Sequence, residues 1–175
     1  MVDLSKYLEQ AADAAKRRNY PMAVKIYGQV LAIQPDFGEA RAGLRKALFQ
    51  KAAQKPPSKL TAMLFGGVHL LLGSVLRLVG SHAGAAKAFE RYLAMDPTAE
   101  GPNLKLGDSL QRAGFAKSAL AVYAAYAEHQ PRCLDACRAA GALYYEQGRL
   151  DQALAMYEQA LKVDPRDQES LKARK

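Results

Sequence analysis

A short phrase ending in proline recurs along the chain at a fixed interval. Pro97, Pro131 and Pro165 follow one another at intervals of 34 residues. Eight residues before each of these prolines stands an aromatic residue, twelve before stands alanine, and seventeen and twenty-four before stand glycines. The segment ending at Pro35 keeps the aromatic residue and the alanine but has arginine and alanine in place of the two glycines. Self-similarity at such a period predicts a stack of similar supersecondary units.

Each recurring position has a physical role in a pair of helices. Proline lacks a backbone N–H and cannot continue a helix, so it closes the second helix of a unit. The glycine seventeen residues earlier, as in Gln147-Gly148-Arg149, supplies a tight turn between two helices. The other glycine and the alanine mark places where two helices cross closely, and the aromatic ring fills the space beside them. The repeat therefore predicts helix–turn–helix units.

This pattern resembles the tetratricopeptide repeat, a helix–turn–helix unit of 34 residues. The match is close over residues 140–165, AGALYYEQGRLDQALAMYEQALKVDP. The resemblance implies an all-α fold, a right-handed superhelical array of antiparallel helix pairs. We expect a single tetratricopeptide-like helical-repeat domain over residues 1–175, with units at about 4–37, 66–99, 100–133 and 134–167.

The register breaks between the first and second of these units. Pro35 and Pro97 lie 62 residues apart, which is not a multiple of the repeat, so residues 38–65 form an irregular junction. We predict a first helix over 38–54, followed by a break at a Pro-Pro pair. A new helix should then begin after Ser58, which is a suitable N-cap residue.

The two ends of the chain carry weaker signals. The first twenty residues alternate charged and apolar side chains, which does not predict a secretory signal peptide. Residues 168–175 predict a short C-terminal helix that has few apolar residues to cover the last apolar face of an array. A homo-oligomer through the array ends is therefore an open alternative.

An apolar run extends from Leu60 to Leu76 with only three polar side chains. It is shorter than the roughly 20 residues that a membrane span needs, and His69 near its middle would be costly in lipid. Its leucines and its glycine also fall at the repeat positions that Leu106 and Gly107 occupy in the next unit. We therefore expect a buried helix of the array, with an interfacial or partner-facing apolar face as the alternative.

No residue pattern in the sequence predicts catalysis or a metal site. There is no glycine-rich phosphate loop and no nucleophile elbow. His129, Cys133 and Cys137 are spaced by four, but Pro131 interrupts the helix that would align them, and zinc sites prefer closer cysteine pairs. We therefore expect that the chain is not an enzyme and that it binds no cofactor and no metal. Two cysteines cannot build a disulfide framework, which fits a reducing, cytoplasmic location.

The chain is basic, and the excess charge lies towards its N-terminal end. It has 25 Lys and Arg against 17 Asp and Glu, a net charge of +8, and residues 1–59 carry 11 of the basic and 5 of the acidic side chains. An acidic protein, a nucleic acid or an anionic membrane could exploit this excess, but a set of solvated helix faces is the favoured explanation. No groove-reading motif accompanies the charge, so nucleic acid is not the expected partner.

The resemblance also implies a binding surface, because the first helices of tetratricopeptide units line a concave groove. The candidate groove residues, read from the repeat register, are Leu70, Ser74, Arg77, Leu104, Asp108, Gln111, Arg112, Arg138 and Tyr145. Arg77, Arg112 and Arg138 would form a basic track for an acidic peptide, and Tyr145 would anchor an apolar side chain. The alternative is a solvated groove whose charges pair with one another. Its pairs would be Arg138 with Asp135, and Asp108 with Arg112.

These observations favour a scaffold or adaptor for protein–protein interaction that binds a peptide or partner protein, with no catalysis. The Lys and Asn clamp with which some members of the family hold a chaperone's terminal carboxylate has no match here, since Leu8 and Ala12 stand at the corresponding positions of the first unit. The alternative function is a peripheral membrane-associated assembly factor that uses the apolar 60–80 segment and the basic N-terminal end.

Overall fold

The computed structural model describes residues 3–173, and this part of the chain folds into ten α-helices joined by short turns. In chain order the helices are α1 (Leu4–Lys16), α2 (Tyr20–Ile33), α3 (Gly38–Gln54), α4 (Lys59–Leu78), α5 (His82–Leu93), α6 (Glu100–Arg112), α7 (Ala116–His129), α8 (Leu134–Glu146), α9 (Leu150–Val163) and α10 (Gln168–Ala173). Four helix hairpins, α1–α2, α4–α5, α6–α7 and α8–α9, form the array, and α3 and α10 stand outside these pairs.

Three of the four hairpins turn on a glycine in the left-handed region of backbone space. The φ angle is +78° at Gly80, +82° at Gly114 and +71° at Gly148, where a side chain would be strained. The same position of the first hairpin is Arg18, with a φ of 59°. The glycine turns predicted from the repeat are therefore confirmed, and the first hairpin makes the same turn at a less suitable residue.

In the three units that end at Pro97, Pro131 and Pro165, the second glycine provides space for the aromatic ring of the same unit. A Cβ placed on Gly73 would lie 2.7 Å from the ring of Phe89, and one on Gly141 would lie 3.1 Å from the ring of Tyr157. Phe89 is fully buried in the core cluster that the middle helices share. Close contact between a bare helix backbone and a ring thus sets the distance between the two helices of a pair.

α3 is a first helix that has no second helix of its own. It packs on α2 in the order of the sequence and then on α7, from a much later unit. Arg41 forms an ion pair with Glu90 of α5, and the ring of Phe49 stacks on His129 at the end of α7, with centroids 4.2 Å apart. α3 therefore folds the N-terminal hairpin back onto the second helices α5 and α7.

α4 is largely exposed, and the prediction of a buried helix for this segment is wrong. Its start is as predicted, because the Ser58 side chain accepts a hydrogen bond from the N–H of Thr61. Along the helix, however, only Ala62, Gly66 and Gly73 are buried. In a regular array the second helix of the preceding unit would cover the opposite side, but here that helix is missing and α3 lies on α7. Among the described helices, α4 is the one long and apolar enough to cross a membrane, by length and composition.

The short helix α10 packs on α9 at the C-terminal end of the described chain. The carboxylate of Asp167 accepts a hydrogen bond from the backbone N–H of Ser170 at 2.9 Å and so caps the helix. Ser170 is buried. This arrangement holds Asp167 and its neighbours beside α8, where they meet the candidate groove.

Candidate functional site

The first helices α4, α6 and α8 lie side by side and leave an open cleft of about 300 Å³. The cleft is lined by Arg77, Leu104, Lys105, Asp108, Tyr123, Asp135 and Ala139. Three residues predicted for the groove, Arg77, Leu104 and Asp108, are thus brought together from two helices. Tyr123 reaches the cleft from α7, because its ring lies against Gly107 and its hydroxyl donates to the carbonyl of Leu104 at 3.4 Å.

Asp108 lies at the centre of the charged groups in the cleft. Its Oδ2 accepts a hydrogen bond from Arg77 of α4 at 2.5 Å, and its Oδ1 accepts one from Nε of Arg112 at 2.9 Å. The hydrogen bond with Asp108 raises the pKa of Arg112 above its ordinary value. One carboxylate therefore joins two arginines, and the three groups together keep a positive charge.

Arg138 has acidic partners on both sides. It contacts Asp135 at 2.7 Å on its own helix, and Asp167 at 3.1 Å and Glu169 at 3.5 Å near the C-terminal helix. The hydrogen bond with Asp135 is the main reason that the pKa of Arg138 lies above its ordinary value. Both ion pairs expected for a groove with mutually paired charges are therefore present.

The remaining predicted groove residues differ in how accessible they are. Tyr145 is 63% exposed on α8, and Gln111 is exposed on α6. Leu70 packs partly buried against the core, and the Ser74 hydroxyl donates to its carbonyl at 2.8 Å. The repeat register missed Lys105, which lines the cleft, is exposed, and has no ion-pair partner among residues 3–173.

Comparisons with known proteins agree with this architecture. Residues 135–167 match the family model described as tetratricopeptide repeat. The chain therefore contains a tetratricopeptide repeat. No curated protein sequence matches it. The cleft described above is formed by the first helices of its tetratricopeptide units.

Solved structures of several tetratricopeptide proteins resemble this one. The first such domain of Spaghetti (RPAP3), bound to the HSP90 peptide SRMEEVD, is 16% identical with a TM-score of 0.56, and the match covers 62% of this chain and 86% of that one. YrrB, a protein with an unusual peptide-binding site, is 21% identical with a TM-score of 0.56, and the match covers 96% of this chain and 90% of that one. MamA is 19% identical with a TM-score of 0.54, and the match covers 89% of this chain and 94% of that one. At these identities the likeness establishes the fold.

A second and larger cleft, of about 950 Å³, lies where the N-terminal tetratricopeptide hairpin folds back onto the array. Its walls include Lys46 of α3, Lys117 and Glu128 of α7, and Tyr144 and Arg149 at the α8–α9 turn. The Arg149 guanidinium lies 4.6 Å from the centroid of the Tyr144 ring. Nothing in the sequence pattern predicts this cleft, because it depends on the packing of α3 on α7.

The two cysteines of the tetratricopeptide array are core residues. Cys133 and Cys137 are free and buried, in a cluster with Tyr126 and Phe49. Burial raises the pKa of both thiols above their ordinary value, so the reactive thiolate is disfavoured. Within residues 3–173 no group of three or more His, Cys, Asp or Glu side chains is arranged to hold a metal ion.

Proposed function

We propose that this chain is a scaffold or adaptor that binds a peptide or a partner protein in the cleft between α4, α6 and α8. The observation that carries the proposal is the cleft itself, which is open and combines charged side chains on three first helices with the aromatic Tyr123 from the second helix α7. A cleft of this kind suits an extended chain segment with a few side chains to anchor. The described peptide complex of the RPAP3 domain and the peptide-binding site of YrrB support the same use of the fold.

The charges of the cleft favour an acidic segment. Lys105 is free to pair with a carboxylate, and Arg77 and Arg112 share the single carboxylate of Asp108. A ligand carboxylate could therefore bind beside Asp108 and complete the pairing of the two guanidinium groups. Tyr145, which is exposed on α8 outside the lining of the cleft, would contact an apolar side chain of the same ligand.

The role we propose is binding without catalysis or a cofactor, and the location we propose is the cytoplasm. Two free, buried cysteines are compatible with a reducing compartment. The alternative of a peripheral membrane-associated assembly factor is less well supported. It would place α4 in lipid. However, α4 packs on α5 through Gly66 and Gly73, and Arg77 in its last turn forms an ion pair with Asp108.

The direct test is selection from a peptide library, followed by binding measurements with a variant of the cleft residue Lys105 and a variant of the exposed Tyr145 on α8. We expect acidic peptides to be enriched, and we expect Lys105→Glu and Tyr145→Ala each to weaken their binding by about tenfold or more. Lys162→Glu is the matched control, because Lys162 is exposed on the second helix α9, which does not line the cleft. Circular dichroism should show unchanged helix content in all three. Equal binding by wild type and Lys105→Glu would exclude this cleft as the site.

A further inference from the structure

One side of α4 carries an uninterrupted apolar stripe that faces solvent. The stripe consists of Leu64, Val68, Leu71, Val75 and Leu78, each between 47% and 87% exposed. At about 100° per residue these positions lie opposite Gly66 and Gly73, the residues that face α5. The helix has 20 residues and is therefore about 30 Å long. A soluble monomer rarely exposes an apolar surface of this extent without a partner.

The spacing of the stripe indicates what kind of partner covers it. Its residues alternate at intervals of four and three, which is the a and d pattern of a coiled-coil heptad. Leu64, Leu71 and Leu78 occupy the d positions, and Val68 and Val75 occupy the a positions. β-Branched residues at a with leucine at d favour two-stranded packing. The residues at the neighbouring e positions, Phe65, Leu72 and Val79, are also apolar and exposed. The stripe is therefore suited to one further helix with the same pattern, and apolar contacts would flank the a and d seam.

The absence of charge on the stripe favours an identical helix over a charged partner. Lys59 and Arg77 are the only charged residues of α4, one in its first turn and one in its last. Two copies of the stripe would therefore meet without burying an unpaired charge. An interfacial membrane helix, in contrast, has a Lys- and Arg-rich polar face, which α4 lacks, and its Arg77 is paired with Asp108.

We propose that α4 of one copy pairs with α4 of a second copy through this stripe. The second copy then takes the place of the second helix that the irregular junction lacks. The pairing surface is separate from the peptide cleft, because Arg77, the α4 residue that lines the cleft, lies on the same side of the helix as Gly66 and Gly73, away from the stripe. A dimer of this kind would present two peptide clefts.

Sedimentation of the full chain over a concentration series tests the proposal. We expect wild type to form a dimer, and we expect Leu71→Glu to weaken it by more than about 100-fold, since each copy would bury an unpaired carboxylate. Ile33→Glu, at an exposed apolar residue of α2, should leave the dimer unchanged. Lys105→Glu should also remain dimeric, so that a failure of the cleft and a failure of the dimer can be told apart. A monomeric wild type, or a dimer that survives Leu71→Glu, would overturn the proposal.

Cysteine cross-linking tests the register of the pairing. Leu71→Cys should form a disulfide between copies under a mild copper–phenanthroline oxidant, because a d position faces its counterpart in the parallel pair that this pattern favours. Met63→Cys is the control, since Met63 is 71% exposed on the same helix but lies away from the stripe. Equal cross-linking at both positions would contradict the proposed stripe.

Flotation with neutral phosphatidylcholine vesicles separates the dimer from a lipid-bound state. We expect wild type to stay in the soluble fraction as a dimer. Flotation of a protein that is monomeric in solution would overturn the proposal and assign the apolar stripe to a lipid surface.

Discussion

Asp36 accepts a hydrogen bond from the backbone N–H of Ser118 at 2.7 Å, across 82 residues of sequence. Ser118 lies in the first turn of α7, whose own N-cap residue, Phe115, makes no side-chain capping bond. The Ser118 hydroxyl in turn donates to the carbonyl of Pro35 at 2.9 Å. The loop between α2 and α3 therefore caps the helix on which α3 packs, which fixes the N-terminal hairpin to the array.

The first prediction concerns this cap. Asp36→Ala should lower the free energy of unfolding by about 1–2 kcal/mol, because the first turn of α7 loses both a hydrogen-bond acceptor and a negative charge near its N-terminus. Urea denaturation followed by circular dichroism measures the change. Asp13→Ala is the control, since Asp13 makes only a solvent-exposed ion pair with Lys16 and should cost about 0–1 kcal/mol. Equal losses in the two variants would show that Asp36 does not act as a cap.

The second prediction concerns the buried guanidinium that joins α3 to the array. Arg45 is 2% exposed and donates to the carbonyl of Pro97 at 2.9 Å and to the side-chain oxygen of Asn103 at 2.5 Å. It also lies over the ring of Phe49, 4.8 Å from the centroid. Arg45→Ala should destabilise the protein by about 2–3 kcal/mol, because it leaves two buried acceptors with fewer donors and opens a cavity.

Two measurements check this prediction. Urea denaturation gives the loss of stability, and limited trypsin digestion reports whether α3 has come away from α7 by faster cleavage after the exposed Lys51 near the end of α3. Lys46→Ala provides the control, since Lys46 is the exposed neighbour of Arg45 and its loss should change stability by no more than about 0.5 kcal/mol. If Arg45→Ala were as stable in urea and as resistant to trypsin as Lys46→Ala, Arg45 would not be needed to join α3 to the array.

The helix pairs could be predicted from the sequence because their contacts are local. Gly141 and the ring of Tyr157 belong to one unit, and the repeat fixes their separation along the chain. The packing of α3 on α7 depends instead on contacts such as Phe49 with His129, between residues that share no repeat position. The same limit explains why α4 was wrongly predicted to be buried, because the repeat pattern implies that each helix is covered by its neighbour in sequence.

The candidate cleft was predictable to the same extent. The register placed Arg77 and Asp108 on facing helices, and an ion pair joins them. It could not show that one carboxylate serves two arginines, or that Asp167 reaches Arg138 from the C-terminal segment. These features depend on side-chain directions and on the position of α10, which a column of residue types does not contain.

The third prediction tests the close approach of helix and ring. A Cβ on Gly73 would lie 2.7 Å from the ring of Phe89, which is fully buried and cannot move aside. Gly73→Ala should therefore lower the free energy of unfolding by about 1–2 kcal/mol, despite the better helix propensity of alanine. Gly28→Ala, within α2, meets nothing within 4 Å and should raise stability by up to about 1 kcal/mol. Thermal denaturation of the two variants should thus shift in opposite directions, and a shift in the same direction would contradict the packing argument.

The fourth prediction tests whether Asp108 competes with a ligand for the two arginines. Asp108→Asn keeps the shape of the side chain but removes its charge, so Arg77 and Arg112 lose their shared carboxylate. Binding of an acidic peptide should become about five- to tenfold tighter, as measured by fluorescence anisotropy. The gain should shrink at high salt, because the groups are partly exposed to solvent. Weaker binding would instead show that Asp108 positions the arginines for the ligand.

The fifth prediction concerns alkaline pH and Tyr123. Burial, with the nearby charge of Asp108, raises the pKa of Tyr123 from 10.0 to about 12. Between these pH values the unfolded chain gives up a proton that the folded protein retains, so stability must fall as pH rises. Below the ordinary tyrosine pKa the phenol is protonated in both the folded and the unfolded state, so Tyr123 contributes nothing to the pH dependence of stability there. Tyr123→Phe should therefore lose less stability than wild type across this window, by at most about 2 kcal/mol, since the open cleft screens the charge. Urea denaturation at pH values on both sides of the window measures the difference, and parallel losses in the two proteins would mean that the phenol ionises equally easily in the folded state.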